Sequence, residues 1–201
     1  MEKITKVTAH AGHNRPGRIA CGASDYLDES KETRIICRKV IRLFKKNKIE
    51  AVNCTVNNGK SQNDVLVKIK NKIEKVLGVC LNFSLHMNAC EHSKTDGRTK
   101  GVEVCICPVA GDDADYSKTK KTMKYKVAQL VCREIAKLGF TNRGVKFRDN
   151  LYILKRTSKP TILVEICFVD DQDDAKLYKK NKDAVAQAIV KAVLSYNKSC
   201  R

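Results

Sequence analysis

Four residues at the ends of apolar runs carry the most chemistry in this chain of 201 residues: His13, Glu29, His86 and Glu165. His13 follows the run ITKVTA, His86 ends LNFSLH, Glu165 ends TILVE, and Glu29 opens a long amphipathic stretch. An open α/β sheet binds its ligands at the carboxyl ends of its strands. Two imidazoles and two carboxylates gathered there supply three zinc ligands and one general base, the minimum set for metal-assisted hydrolysis.

The residue types differ in how much they specify. Glu165 stands between Ile162-Leu163-Val164 and Ile166-Cys167-Phe168. A carboxylate in such a run is desolvated unless it is paired, and the resulting rise in pKa suits a general acid–base. His86 follows Leu81, Phe83 and Leu85, so a strand exit there aims its ring into a crevice. In His10-Ala11-Gly12-His13, Gly12 allows a tight bend that presents His13, with His10 expected further back in a supporting or rim position. Spacing alone still leaves both histidines open. It also leaves Asp25, Asp28, Glu29 and Glu32 as rival acids at the start of the following helix.

These residues must be positioned by an alternation of short apolar runs and longer helical patterns, which predicts βα units and a largely parallel sheet. The strand candidates are 4–9, 50–54, 78–84, 102–107, 151–154 and 161–165. Helices are expected over 25–47, 62–75, 116–138 and about 180–196, where apolar residues recur at helical spacing. Gly139 fits a cap ending the third. The segments 91–100 and 140–150 read as polar loops near the strand ends. The expected architecture is a single α/β domain over 1–201, with a twisted, mostly parallel six-stranded sheet flanked by helices on both faces.

Composition narrows the class. Lys and Arg number 40 against 22 Asp and Glu, a formal net charge of +18, which implies attraction to polyanions. Trp is absent and aromatics make up 5% of the chain, which speaks against base stacking on an aromatic platform. Most of the ten cysteines sit inside apolar runs and no CxxC occurs, so they read as reduced, buried thiols and not as a disulfide or thiolate–zinc framework. The N-terminal MEKITKVTAHAG has too short and too polar an apolar core for a signal peptide, and no run approaches a membrane span.

Six motifs in order resemble the zinc-dependent N-acetylmuramoyl-L-alanine amidases of phage endolysins and bacterial autolysins. They are Ala11-Gly12-His13, Asp28-Glu29-Ser30 ahead of Thr33-Arg34, Ser84-Leu85-His86-Met87-Asn88-Ala89, Gly101-Val102-Glu103-Val104, Asn142-Arg143-Gly144-Val145-Lys146 and Leu163-Val164-Glu165-Ile166-Cys167-Phe168. The resemblance spans almost the entire chain. It implies one catalytic zinc ion held by His13, Glu29 and His86, with Glu165 as the catalytic carboxylate, and so selects among the rivals left open above. It also implies a six-stranded sheet between helices, and peptidoglycan as substrate, cleaved between N-acetylmuramic acid and L-alanine.

Asn88 and Arg143 are expected to position the peptide or glycan. The chain ends soon after the amidase region, so no separate wall-binding domain is expected, and the basic surface could take that part by attracting anionic wall polymers. Synthesis in the cytoplasm and action on the wall after release through a membrane lesion or lysis follow from the missing signal. Three rivals remain: a Cys–His hydrolase using Cys90 or Cys167, a zinc carboxypeptidase of related architecture, and a non-enzymatic basic nucleic-acid-binding module. The last leaves the four site residues without a purpose and has no recognisable nucleic-acid-binding motif, so no specific nucleic acid is expected.

Overall fold

Apolar side chains alternate along KVTAHA and LNFSLHMN, and both segments form strands that turn one face to a hydrophobic core. The computed structural model describes residues 2–90 and 98–200. In chain order the elements are β1 (Lys6–Ala11), α1 (Glu29–Lys46), β2 (Glu50–Asn53), α2 (Gln62–Glu74), β3 (Leu81–Asn88), β4 (Val102–Ile106), α3 (Ser117–Lys120), α4 (Met123–Ala136), β5 (Asn142–Phe147), α5 (Tyr152–Arg156), β6 (Thr161–Phe168) and α6 (Gln172–Ser199).

The strands form one sheet in the order β2-β1-β3-β6-β4-β5. Every pairing is parallel except that of β4 with β6, so β4 and β5 run against the other four. This reversal matters for the site. The carboxyl ends of β1, β3 and β6 meet the amino ends of β4 and β5 along the same edge of the sheet.

The two faces differ. On one, Val7, Ala9, Leu81, Phe83, Leu85, Val104, Ile162 and Val164 pack against α1, α4 and α6. On the other, Cys105 and Leu163 pack with Val65, Ile69 and Ile73 of α2 and Ile153 and Leu154 of α5. The second face also carries buried polar groups: the Thr8 hydroxyl donates to Asn82 Oδ1 at 2.8 Å. Helices therefore flank both faces, as the periodicity predicts.

Several boundaries depart from the sequence reading. The apolar run 151–154 is not a strand: Tyr152–Arg156 is a short helix, because Ile153 and Leu154 reach the same patch of α2 core from adjacent helical positions. The fifth strand comes instead from 140–150, read as a loop. Asn142–Phe147 is a half-exposed edge strand whose polar composition hides its pairing with β4. The expected helix 116–138 is broken in two, with Thr122 accepting from Tyr125 N–H as the cap of α4. The last helix starts earlier, at Gln172, and bends at Asn181, where the backbone leaves helical geometry. The first starts at Glu29 and not at 25. Gly139 lies just beyond α4 with φ 107°, as a terminating glycine should. The loop expected at 91–100 falls largely outside the described residues. Among the described residues no helix is long and apolar enough to cross a membrane.

Candidate active site

Glu29 owes its position to the start of α1. Asp28 caps that helix, its side chain accepting from Lys31 N–H at 2.8 Å, and leaves Glu29 as the first helical residue, at the positive end of the helix dipole. Glu29 is 3% exposed. Its Oε2 accepts from Ala23 N–H at 3.0 Å and its Oε1 from Met87 N–H at 3.2 Å.

His13 is set by the bend that ends β1. Gly12 N–H donates to Leu85 O at 2.8 Å, tying the bend to β3, and His13 itself has φ 62°. A non-glycine residue in that region costs on the order of 1–3 kcal/mol, so the surroundings must hold it. Arg34, a buried residue of α1, is the main brace. Its Nη2 donates to His13 O at 3.1 Å and Val56 O at 2.8 Å, its Nη1 to Ser30 O at 2.9 Å, and its Nε to Asn57 Oδ1 at 2.9 Å.

These elements bring His13, Glu29 and His86 together. Glu29 Oε1 lies 3.3 Å from His13 Nε2 and 3.0 Å from His86 Nδ1, and the imidazoles stand edge to face at 79° with centroids 4.9 Å apart. One candidate donor atom from each residue lies within 4.8 Å of the others. Donors about 2.0–2.2 Å from a tetrahedral zinc lie about 3.3–3.6 Å from one another, close to the two separations made by Glu29 Oε1, so this N, N, O set has the chemistry and the approximate spacing of a zinc site. Packing behind it supports the fit: a Cβ on Gly12 would lie 2.1 Å from the His86 ring, and one on Gly22 would lie 2.4 Å from Glu29 Oε2. His86 Nε2 is 3.2 Å from Ser84 Oγ, the kind of outer contact that orients a ligand ring.

The electrostatics agree with a cation-binding set. Burial pushes the Glu29 carboxyl up, but its contacts with His13 and His86 more than offset this and hold it well below the ordinary range. Burial pulls His13 down, and Glu29 reverses the shift, so its pKa ends raised. His10 is different. It is 1% exposed, not at a rim, and burial followed by the nearby His86 pulls it down to about 3, a neutral imidazole behind the cluster.

Glu165 and His86 are register partners on adjacent strands, so they stand side by side. Both lie inside their strands and not at the ends, because β3 runs on to Asn88 and β6 to Phe168. Glu165 Oε2 is buried without a hydrogen-bond partner among the described residues. Burial, then the charges of Glu29 and Glu103, raise its pKa well above the ordinary value.

On the far side Glu165 pairs with Glu103 of antiparallel β4. Glu103 is 6% exposed and gathers the two other expected residues. Its Oε2 accepts from Arg143 Nε at 2.7 Å and its Oε1 from Asn88 Nδ2 at 3.4 Å, while the Arg143 guanidinium lies 5.0 Å from the Phe168 ring centroid. Sequence reasoning assigned no role to Glu103 or to Arg34. Glu103 has the same signature as Glu165, a carboxylate inside an apolar strand. Arg34 has none, because its partners are backbone carbonyls.

The sequence model of a family described as N-acetylmuramoyl-L-alanine amidase matches residues 7–195. An uncharacterized 38.4 kDa protein of Clostridium perfringens is 28% identical over 192 residues, covering 94% of this chain and 50% of that protein. The endolysin of Bacillus phage SPP1 is 27% identical over 183 residues, covering 90% of this chain and 60% of its own. This chain thus spans about half the length of the curated relatives it matches first. Among solved structures, the amidase of Clostridium difficile 630 superposes with a TM-score of 0.76 at 21% identity over 100% of both chains. The catalytic domain of an endolysin targeting Clostridia difficile does so with a TM-score of 0.75 at 23% identity, covering 95% of this chain and 97% of that one. With the family matched over nearly its whole length, on the fold those structures share, the chain belongs to the N-acetylmuramoyl-L-alanine amidase family.

Proposed function

We propose that this chain is a zinc hydrolase that cleaves the amide between N-acetylmuramic acid and the L-alanine of the peptidoglycan stem peptide. The observation that carries this reading is one carboxylate oxygen of Glu29 lying within 3.3 Å of both imidazoles, with Glu165 in register beside His86. His13, Glu29 and His86 would hold the zinc. Zinc bound there supplies Lewis acidity, polarising the scissile carbonyl and making water a better nucleophile.

Glu165 does the proton work. Its unpartnered Oε2 takes a proton from the attacking water as the new C–O bond forms, and returns it to the alanine nitrogen as the C–N bond breaks. The low-polarity strand interior lets that carboxyl hold the proton between the two steps. Glu103 keeps Arg143 and Asn88 at the mouth of the site, where both offer donors to the glycan or peptide. The domain itself is the catalytic unit. Its basic surface draws it to anionic wall polymers, and it acts on the wall after release from the cytoplasm.

The cysteine alternative has little support. Cys167 is fully buried, and burial followed by the nearby carboxylates raises its thiol well above the ordinary value, which suppresses the nucleophilic thiolate. The deciding experiment is digestion of purified peptidoglycan with and without a chelator, followed by mass analysis. New alanine amino groups that vanish with the chelator are expected. Release of terminal amino acids would mark a carboxypeptidase instead.

A further inference from the structure

A polar cavity lies beside the segments that follow β1 and β2, linked to the candidate metal centre through Arg34, which bonds both Asn57 of its wall and the His13 carbonyl. It has a volume of about 380 Å³ and is bounded by Arg15, Arg18, Thr55, Asn57, Asn58 and Lys72. We propose that this cavity is a subsite for a carboxylate of the stem peptide, so that the peptide half of the substrate lies over the loop after β1. The inference rests on the amidase reading above.

The sequence builds the cavity from three segments. Arg15-Pro16-Gly17-Arg18 forms a tight turn in which Arg18 N–H donates to Arg15 O at 3.2 Å and Gly17 takes φ 74°. Proline second and a positive-φ glycine third are the requirements of a type II turn, which brings its first and fourth residues close together. Two guanidiniums are thereby carried on one small loop. From α2, Lys72 Nζ donates to Thr55 O at 2.8 Å, which fixes the ammonium at the cavity and leaves it further protons to give. Asn57 has its side-chain oxygen occupied by Arg34 Nε, so its amide nitrogen is the end left for a ligand.

The charge is the second argument. Among the described residues no acidic residue lines the cavity. Unpaired cations are common in a chain of net charge +18, but here three of them converge on one concavity, whereas Lys68, Lys100 and Lys182 each meet a carboxylate in Asp64, Asp173 and Glu32. Three cations around one cavity repel one another within the roughly 8–10 Å over which charges act in dilute salt, and an oxyanion offsets that cost. Arginine in a pair presents the planar donor forks that match carboxylate oxygens.

Position selects the source of the anion. Arg15 follows His13 by two residues, and Arg34 bonds both the His13 carbonyl and the Asn57 side chain, so cavity wall and candidate ligand share one brace. A group bound there belongs to the molecule being cleaved. The glycan half of that molecule consists of N-acetylated sugars whose lactyl carboxyl is consumed in the scissile amide. Its carboxylates therefore sit on the peptide half.

The test compares two soluble muramoyl peptides, one with free peptide carboxyls and one with those carboxyls converted to carboxamides. The wild-type protein should favour the acid by about tenfold in kcat/KM, the size of one charge-assisted contact. Arg15→Gln with Arg18→Gln should bring that ratio close to one through a higher KM for the acid. Lys72→Gln, on a different element, should reduce the ratio in the same direction. Equal turnover of both substrates by the wild type, or an unchanged preference in the variants, overturns the proposal. A binding arm stands apart from catalysis: calorimetry with the free acidic stem peptide should show affinity about tenfold weaker in the double arginine variant. If neither muramoyl peptide is cleaved, the amidase reading fails and this arm alone judges the subsite. Tighter competition by poly(glycerol phosphate) than by the acidic peptide would assign the cavity to a wall polymer and overturn the proposal.

Discussion

At the scale of single residues, Glu29 is the hub, since it faces two imidazoles and accepts two backbone N–H groups. The proposed division of labour separates binding from chemistry. Glu165→Gln should retain one zinc per chain by elemental analysis while kcat falls about 10²- to 10⁴-fold, the usual worth of a general acid–base. His86→Ala should lose zinc and activity together, and full zinc occupancy in that variant would show the ligand set to be wrong. The glycines give a subtler test. Gly22→Ala meets both a positive φ of 83° and a collision with Glu29, whereas Gly17→Ala meets a positive φ of 74° with nothing within 4 Å. Both should cost about 1 kcal/mol in urea unfolding from the backbone alone, but only Gly22→Ala should lower zinc content.

At the scale of elements, the site depends on how α1 begins and how the sheet reverses. Asp28→Ala removes the cap that starts α1 beside Glu29, and should cost about 1 kcal/mol of stability along with measurable zinc affinity. The distinction from a general loss of packing can be read against Phe83→Ala. Phe83 is fully buried and packs on Phe44 at a centroid distance of 5.5 Å on the face away from the site. Its truncation should cost about 3–5 kcal/mol, yet the folded fraction should still bind zinc. The reversal of β4 and β5 is equally consequential. It turns the amino-terminal residues Glu103 and Arg143 toward the carboxyl ends of β3 and β6, where a parallel continuation would carry them to the opposite edge.

At the scale of the whole molecule, charge dominates. A net charge of +18 predicts that sedimentation of the protein with cell walls falls as salt rises from about 0.1 M to about 1 M, where the screening length shrinks from about 10 Å to about 3 Å. Binding that persists undiminished would point to a contact other than charge. The acids that are present stabilise the fold where they are paired. Burial pushes the Glu134 carboxyl up, but Lys137 and Lys191, at 2.6 and 2.9 Å, more than offset it and leave it lowered. A carboxyl lowered by folding adds stability above its unfolded value of 4.5, and that stability is lost as pH falls through the lower folded value. Glu134→Gln should therefore cost about 1 kcal/mol near neutral pH, with the gap to wild type closing in urea titrations at progressively lower pH.

Residue types and apolar alternation were enough to determine the α/β class, a largely parallel sheet with five of its six strands, and His86 and Glu165 as site candidates, while His13 and Glu29 were selected by the family resemblance. What the pattern determined is written locally: a strand needs only period-two burial, and a lone carboxylate in an apolar run announces itself. Local pattern could not separate 142–147 from 151–154, because a half-exposed edge strand looks polar and a one-turn helix against α2 looks like a short apolar strand. Nor could it choose between His10 and His13 by spacing. That choice turns on which imidazole the bend at Gly12 carries to Glu29, a contact between residues 16 positions apart, and on His86, 57 positions from Glu29. The contacts of Glu103 and Arg34 and the arginine-lined cavity arise only where distant segments meet. Tertiary structure alone decided them, because a brace or a subsite is defined by its partners and not by its own residue type.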